Sequence, residues 1–483
     1  MIVALALSAA VSAALGTLAL LRVWPAAGVP ASRPLVGALG AGLGAGLSSL
    51  LLFAWLLLFG PTRAFPPAEV ALLGLLAFAM YRSRRRLGLG TKQGEWLAGP
   101  ARLLTPIFAL ALVAAAAAFV AMLRQEPHGE WDAWMNWNMR ARMIFLGGPT
   151  WRTAFAPELP WSHPDYPVLV PSLVVRAWLY AGHATLLGPG LVAATFALAA
   201  VAVLVTALAA LRAPSQGLLA GMVLLATPFF IQHATSLYAD VPLAFFFLAT
   251  VVCLALDDRA GGATPRFAML AGFSAGLAMW TKNEGLLFTA CVLAGIVASG
   301  RRAGWLETRR RLTHIGAGLL LPSLVVVTFK LTLAPPNDLL STLGVERTLG
   351  RLADLARYGT VARAYAMHLV TFGANGLPGA VWPLAVFAGA LGWNPVERQR
   401  PWAQAVAIAL GLLLAGHFMV FVSMADELVR LLASSLDRLI LQLWPSALFL
   451  GFMATRTLEE AGATEPLTPF AARSAALHQE RTQ

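Results

Sequence analysis

The chain has 483 residues, of which 58% are hydrophobic and only 12% are charged. A soluble protein carries about 25% charged residues, so this composition excludes a soluble globular fold. The formal net charge is +12, but the basic residues lie in short stretches between apolar runs, without a motif of nucleic-acid recognition. The charge therefore indicates loops on one side of a membrane and does not indicate a nucleic-acid partner.

Apolar runs long enough to cross a bilayer recur along almost the whole chain. We predict an all-α polytopic membrane protein with about 13 transmembrane helices. The first run has no positively charged start, so it is interpreted as a retained span and not as a cleaved signal peptide. The predicted spans are residues 1–22, 35–60, 66–81, 101–123, 190–211, 217–231, 240–256, 267–281, 286–300, 313–334, 369–391, 402–424 and 437–456.

The basic stretches assign each loop to a side of the membrane. Arg82–Arg86, Arg301–Arg311 and Arg398–Arg400 are expected in the cytoplasm, because cytoplasmic loops carry an excess of Lys and Arg. This topology requires Val168–Tyr180 to be an interfacial helix and not a full span. The outer segments are then residues 124–188, 232–240, 282–284, 335–368 and 425–436.

Three parts of the chain are expected: N-terminal transmembrane helices over residues 1–99, a transmembrane domain over residues 100–456, and a tail over residues 457–483. The tail is polar and lacks apolar periodicity, which predicts a disordered cytoplasmic segment.

The densest polar stretch of the predicted outer loops runs from Glu130 to Arg140. At 100° per residue, a helix places Asp132, Asn136 and Arg140 on one stripe. This predicts a helix in the membrane interface, with aromatic side chains toward lipid and the polar stripe toward a substrate cavity. The alternative is an aromatic anchor with a solvated polar face. The apolar face comprises Trp131, Trp134, Asn138, Ala141 and Phe145.

Charged residues recur in three later segments. His163 and Asp165 lie between prolines just before an apolar helix, where metal binding, acid–base catalysis and helix capping are all open. Asp240 lies at the start of a predicted span, where it can be either a site residue or the N-cap of the helix. Lys282 and Glu284 lie in a very short turn between two apolar runs. A turn needs only Asn and Gly, so the two charged residues suggest a site, and a plain turn is the alternative.

The last predicted span begins with the segment Asp437–Gln442, which contains Arg438. An arginine at headgroup level binds phosphate well through its planar fork. The alternative is an arginine that extends to the membrane interface and pairs with Asp437.

Four segments, in their order along the chain, resemble the GT-C superfamily of membrane glycosyltransferases, which includes protein O-mannosyltransferases and the lipid A aminoarabinose transferase. They are Trp131–Trp134, His163–Pro167, Tyr238–Pro242 and Asp437–Pro445. The likeness is to uncharacterised bacterial members and covers residues 100–456. The chain departs from the family in two respects: Asp132 lacks a compact acidic partner, and the spans before residue 100 have no counterpart.

The resemblance implies a GT-C-like helical bundle whose first large outer loop carries interfacial helices. It implies that a sugar moves, with inversion, from a polyprenyl-phosphate donor to a lipid, glycan or protein acceptor of the cell envelope, outside a bacterial inner membrane. Asp132 is the expected base, and Arg438 and Lys282 are expected to hold the leaving phosphate. No spacing dictates a metal; second choices for acceptor binding or a divalent cation are Asp165, Asp240, His163 and Glu284.

A transporter or flippase is the rival interpretation, in which intramembrane charges form a substrate or proton path. Transporters usually place charges in mid-span and often consist of repeated halves. Here the charges gather at one predicted face, and no repeat is visible. A non-catalytic membrane subunit or a sugar-polymer ligase also stays open.

Overall fold

The computed structural model describes residues 1–24, 33–83, 96, 98–261, 265–300, 304–337, 344–372, 379, 381–424 and 427–462. These residues are mostly helical and include no strand apart from one isolated bridge between Trp393 and Thr455. Predicted features at residues 84–86, 301–303 and 463–483 lie outside this set.

The helices follow one another in short connections and pack as a bundle. In chain order they are α1 (Ile2–Val23), α2 (Arg33–Phe59), α3 (Phe65–Ser83), α4 (Ala101–Gln125), α5 (Asn138–Gly147), α6 (Leu169–Ala181), α7 (Leu187–Leu211), α8 (Pro214–Leu225), α9 (Pro228–Thr235), α10 (Asp240–Arg259), α11 (Arg266–Thr281), α12 (Glu284–Ser299), α13 (Trp305–Thr332), α14 (Val345–Ala353), α15 (Leu355–Thr371), α16 (Val381–Leu391), α17 (Pro395–Gln399), α18 (Pro401–Met424), α19 (Leu428–Ala454) and α20 (Leu458–Gly462).

Within the described residues, seven helices are long and apolar enough to cross a membrane, judged by length and composition: α1, α2, α4, α7, α10, α13 and α18. The pair α8 and α9 passes the same test but bends by 63° at its break. Pro228 begins α9. A proline has no backbone N–H and its ring crowds the preceding turn, so the helix cannot continue through this position. The chain is thus a membrane-embedded helical protein, while the predicted total of about 13 spans is not reached by this measure.

The described residues do not form one continuous helix over the predicted span 369–391. Helix α15 ends at Thr371, because Phe372 leaves the helical conformation with φ −49° and ψ 121°. Helix α16 starts only at Val381 and has 11 residues, a length of about 16 Å, which is half the hydrocarbon thickness. Its neighbours at 373–378 lie outside the described residues.

The helix predicted over Val168–Tyr180 is present as α6, but it does not lie in the interface. Its 13 residues extend about 20 Å, too short for a full span. However, every residue from Leu169 to Leu179 is buried, and the helix packs against α1, α2, α5 and α7. It is therefore an internal helix and does not lie on the surface of the bundle.

The centre of the bundle is α10, which contacts α7, α11 and α19. All of its residues from Asp240 to Asp257 are buried, as expected for a helix that is hydrophobic all round. Phe247 stacks on Phe288 with ring centroids 3.8 Å apart. This packing holds the first residue of α10, Asp240, inside the protein.

The N-terminal helices are joined to the rest by a buried ion pair. Arg176 Nε of α6 donates to both carboxylate oxygens of Glu69 in α3 at 2.9 Å, and Arg176 Nη1 donates to Ser8 Oγ of α1 at 2.9 Å. Tyr180 donates a further hydrogen bond to Glu69 at 2.7 Å. Helices α1, α2 and α3 therefore pack as part of the same bundle.

The start of the predicted disordered tail is also ordered. Helix α20 lies against the end of α7 and the start of α8: Arg212, just after α7, pairs with Glu460 at 3.0 Å, and Ser215 in the first turn of α8 donates to Glu459 at 2.8 Å. The prediction of disorder is therefore wrong for Leu458–Gly462. Composition does not predict this order because it depends on contacts with residues that are distant in the chain.

The Glu69–Arg176 pair predicts a large stability effect. Glu69→Ala leaves the Arg176 charge buried and unpaired, which costs about 3–5 kcal/mol, so the thermal unfolding midpoint of the purified protein should fall clearly. The exposed pair Glu307–Arg310, 3.8 Å apart, provides the control Glu307→Ala, for which no measurable change is expected. Equal midpoints for the two variants would contradict this role of Glu69.

Candidate functional site

Asp240 occupies the first position of α10 and is 0% exposed. The N-cap of this helix is Ala239, and no side chain caps it, so the capping interpretation of Asp240 is wrong. Pro242 is tolerated here because the first turn needs no backbone donor at that position. The carboxylate is also favoured by the positive end of the helix dipole.

Three donors surround the Asp240 carboxylate. Oδ1 accepts from Lys282 Nζ at 3.1 Å and from Gln442 Nε2 at 2.6 Å. Oδ2 accepts from Arg438 Nε at 3.2 Å and Nη2 at 3.0 Å. A buried charge is tolerated only when it is paired and hydrogen-bonded in this way, so the network joins α10 to the end of α11 and to α19.

Arg438 bridges the two aspartates. Its Nη2 lies 2.7 Å from Asp132 Oδ2 as well as contacting Asp240, and its guanidinium lies 4.5 Å from the ring centre of Tyr238. The predicted alternative of an Arg438–Asp437 pair is wrong, because Asp437 Oδ1 lies 2.5 Å from His368 Nδ1. Consecutive helix residues point about 100° apart, so Asp437 and Arg438 serve different neighbours.

Asp132 is the exposed end of this ion chain. Its side chain is 32% exposed, and its Oδ1 has no hydrogen-bond or ion-pair partner among the described residues. Its backbone N–H donates to Tyr238 Oη at 3.3 Å. Burial raises the pKa of Tyr238 to about 12, which keeps its hydroxyl neutral beside the acid.

Lys282 is buried between two acids. Besides Asp240 it contacts Glu284 Oε1 at 2.8 Å. Burial disfavours the ammonium, but the charges of Asp240 and Glu284 outweigh it and raise the pKa of Lys282 above its usual value. The Glu284 Oε2 atom is buried and finds no partner in the described part of the chain.

The Glu130–Arg140 segment is helical, but it contains a π-turn at Ala133–Trp137. Trp131 and Trp134 point outward, 60% and 44% exposed, and stack edge to face at 4.7 Å. Asn136 is buried. The prediction that Ala141 lies on the same outward face is wrong: Ala141 is fully buried, since a π-turn shifts the register of the residues that follow it.

Phe145 and Asn138, which were also predicted on the outward face, contact other parts of the protein. Phe145 packs against Trp178 of α6, with ring centroids 5.6 Å apart, and Asn138 Nδ2 donates to the carbonyl of His128 at 3.2 Å. The aromatic surface toward lipid is thus limited to the first turn of the segment.

Arg140 does not open toward a cavity. It is buried and donates to the carbonyls of Ser162, His163 and Tyr166 at 2.6, 2.6 and 2.9 Å. Burial, opposed by the charge of Asp165, lowers the pKa of Arg140 to about 10, so it stays charged at neutral pH. Arg140 holds the loop in which His163 adopts a left-handed φ of 46°.

Asp165 is likewise occupied by protein partners. Its Oδ2 accepts from Asn283 at 2.9 Å and from Asn337 at 2.6 Å, and lies 3.6 Å from Lys330 Nζ. It does not cap α6, whose N-cap is Val168. In the part of the chain that the structure describes, no group of three or more His, Cys, Asp or Glu residues is arranged to hold a metal ion.

The predicted residues thus fall into two neighbouring clusters. The first contains Asp132, Asp240, Lys282, Glu284 and Arg438, and the second contains Asp165 with the loop that Arg140 holds; Lys282 and Asn283 are adjacent and each serves one cluster. The sequence patterns did not indicate Lys330 and assigned no role to Asn337 beyond its place in a predicted outer loop. Lys330 carried a usable signal, because a lone lysine in an apolar run usually has a specific partner.

The chain segments that carry the first cluster include several buried polar atoms that have no partner among the described residues. They are Asn136 Oδ1, Trp137 Nε1, Glu284 Oε2 and Gln442 Oε1. Buried polar atoms are rarely left unpaired unless water, an ion or a ligand binds them. The site therefore combines a half-exposed acid, an arginine and polar atoms that are suited to hydroxyl groups.

Comparison of the chain with protein-family models, with curated proteins and with solved structures found no match. What the site does is therefore inferred from its own side chains and their contacts.

The contacts of Arg140 predict a local loss of order when it is replaced. Arg140→Gln removes a charged donor from buried carbonyls, each worth about 1.5–3 kcal/mol, so amide hydrogen exchange over residues 162–167 should become faster. The exposed neighbour Arg142 provides the control Arg142→Gln, for which exchange should stay at the wild-type rate. Unchanged exchange in Arg140→Gln would show that the loop does not depend on this residue.

Proposed function

We propose that the chain is a membrane glycosyltransferase of the GT-C type. It moves a sugar from a polyprenyl-phosphate-linked donor to an acceptor of the cell envelope, on the non-cytoplasmic face, with inversion. The observation that carries this proposal is the half-exposed Asp132 carboxylate, held through one oxygen by Arg438 at 2.7 Å. The other oxygen is available to an acceptor hydroxyl.

In the proposed step, the acceptor oxygen bonds to the anomeric carbon while the bond from that carbon to the phosphate oxygen breaks. Asp132 receives the acceptor proton as general base. The polyprenyl phosphate leaves with the electron pair of the broken bond, and cationic donors stabilise its growing charge.

Arg438 suits the leaving phosphate. It uses Nε and Nη2 for the two aspartates, while its Nη1 has no partner among the described residues, which leaves N–H donors for an anion. Asp240 fixes the guanidinium from the buried side. Lys282, in contrast, is buried and its charge is balanced by Asp240 and Glu284, so in this proposal it positions the network and does not contact the phosphate.

The location of the charges favours a transferase over a transporter. Asp240 and Glu284 are the first residues of α10 and α12, and Lys282 directly follows α11. A substrate path across the bilayer would place such residues in mid-span. The exposed pair Trp131 and Trp134 beside Asp132 is typical of the membrane interface, where a lipid-linked sugar meets its acceptor.

The proposal predicts that Asp132→Asn loses transfer by about 10²–10⁴-fold, because the variant cannot accept a proton. The assay follows sugar release from a panel of polyprenyl-phosphate sugars, with membrane extract as the acceptor source. Glu130→Gln, an exposed acid two residues away, is the matched control and should retain the wild-type rate.

Two results would count against the proposal in different ways. Full activity of Asp132→Asn would keep the transferase class and reject Asp132 as the base. No donor consumption by the wild type, together with movement of a lipid or solute across vesicles, would replace the transferase by a transporter.

A second prediction concerns the shape of the cation. Arg438→Lys keeps the charge but cannot contact Asp132, Asp240 and a phosphate at once, so transfer should fall by about 100-fold. Arg430→Lys, on an exposed turn of the same helix, should leave the rate unchanged. If the lysine variant is fully active, a point charge suffices and the bidentate role of Arg438 is wrong.

A further inference from the structure

Tyr166 lies where the two clusters of the candidate site meet. Its backbone N–H donates to the carbonyl of His163 at 3.0 Å and its own carbonyl accepts from Arg140 at 2.9 Å, so the loop that Arg140 holds fixes its position. Tyr166 directly follows Asp165 of the second cluster. On the other side, the Lys282 ammonium of the first cluster lies 5.9 Å from the centre of the Tyr166 ring.

The Tyr166 hydroxyl has no partner among the described residues, because the hydrogen bonds of Tyr166 in that set use its backbone alone. Burial, together with the charges of Glu284 and Asp165, raises the pKa of this hydroxyl well above its ordinary value. The group therefore keeps its proton at neutral pH and is a hydrogen-bond donor without a protein acceptor. Such a donor suits a ligand that carries oxygen atoms.

Trp137 provides a second donor beside Tyr166. The centroids of the two rings are 5.8 Å apart. Trp137 is 1% exposed, and its Nε1 has no acceptor in the described part of the chain, although a buried indole N–H usually finds one. Trp137 ends the π-turn that begins directly after Asp132, so one short segment carries both this donor and the candidate base.

Glu284 provides an acceptor on the same side. Its Oε1 contacts Lys282 at 2.8 Å, whereas its Oε2 is buried and has no partner within the described residues. Among the charged groups near the Tyr166 hydroxyl, Glu284 acts most strongly and Asp165 comes next. A carboxylate accepts hydrogen bonds from hydroxyl groups and repels another carboxylate.

We propose that Tyr166, Trp137 and Glu284 bind the ring of the transferred sugar and select an uncharged sugar with free hydroxyl groups. Tyr166 Oη and Trp137 Nε1 donate to sugar oxygens, and Glu284 Oε2 accepts from a sugar hydroxyl. A uronic acid is disfavoured because its carboxylate would face Glu284 and Asp165. This assignment rests on the proposed function, since it requires that the site holds a sugar.

The test measures binding to the full chain in detergent by native mass spectrometry. The probes are farnesyl phosphate alone and farnesyl phosphate linked to glucose, mannose, galactose or arabinose, and the ratio of the two affinities reports the contribution of the sugar. Tyr166→Phe should lower this ratio by about 3–10-fold, the loss of one neutral hydrogen bond, and should leave the affinity for farnesyl phosphate unchanged. Tyr81→Phe, the same change at an exposed tyrosine of α3, should keep the wild-type ratio.

Two further measurements separate sugar binding from a structural role. The thermal unfolding midpoint of Tyr166→Phe should equal that of the wild type, because the lost hydroxyl has no acceptor among the described residues. A clear fall of the midpoint would show that the hydroxyl stabilises the fold and would overturn its assignment to the sugar. Farnesyl phosphate linked to glucuronic acid should bind more weakly than the glucose probe, and equal binding would refute the selection of an uncharged sugar.

The inference and the proposed function fail in different ways. A wild-type ratio in Tyr166→Phe, together with sugar transfer by the wild type, would overturn the sugar subsite and leave the transferase standing. A lowered ratio without transfer would support the subsite and count against the transferase. If no linked sugar binds more tightly than farnesyl phosphate, the inference is wrong, and the transfer assay alone decides the proposed function.

Discussion

The buried carboxylate of Asp240 is the constraint on which the site depends. A charge removed from water is tolerated only when several donors replace its hydration. Lys282, Arg438 and Gln442 supply those donors from the end of α11 and from α19. Because the three side chains must converge within hydrogen-bond distance, the network sets the relative positions of α10, α11 and α19 at one end of the bundle. Because Asp240 holds the Arg438 guanidinium, the same Nη2 atom also lies within contact distance of Asp132.

The ion network also separates structural from chemical roles. Residues that face inward, such as Asp240, Lys282 and Arg140, have protein partners that account for their charge. Asp132 differs because Arg438 holds one of its oxygens, while the other has no partner among the residues that the structure describes. A site built in this way keeps its geometry without a ligand, which reduces the reorganisation needed when charge develops. The Glu69–Arg176 pair holds the N-terminal helices by the same physical means at a different place.

The sequence predicted most of the residues of the site but few of their contacts. Asp132 and Arg438 were selected as acid and arginine at a predicted outer face, yet their direct pairing could not be read from residues so distant in the chain. Asp165 and Arg140 were expected to face substrate, whereas they stabilise the loop around His163. The register of Ala141 differs from the prediction because a π-turn has no clear signature in an apolar-polar pattern.

The sequence by itself determined the membrane class, since long apolar runs and sparse charge are local properties that only a bilayer accommodates. It also placed most helix positions, because each run ends where polar residues or prolines begin. The tertiary structure decided the break between α8 and α9, the enclosure of α6 and the partner of every buried charge. These outcomes depend on which helix ends meet in space, and hydropathy contains no information about that packing.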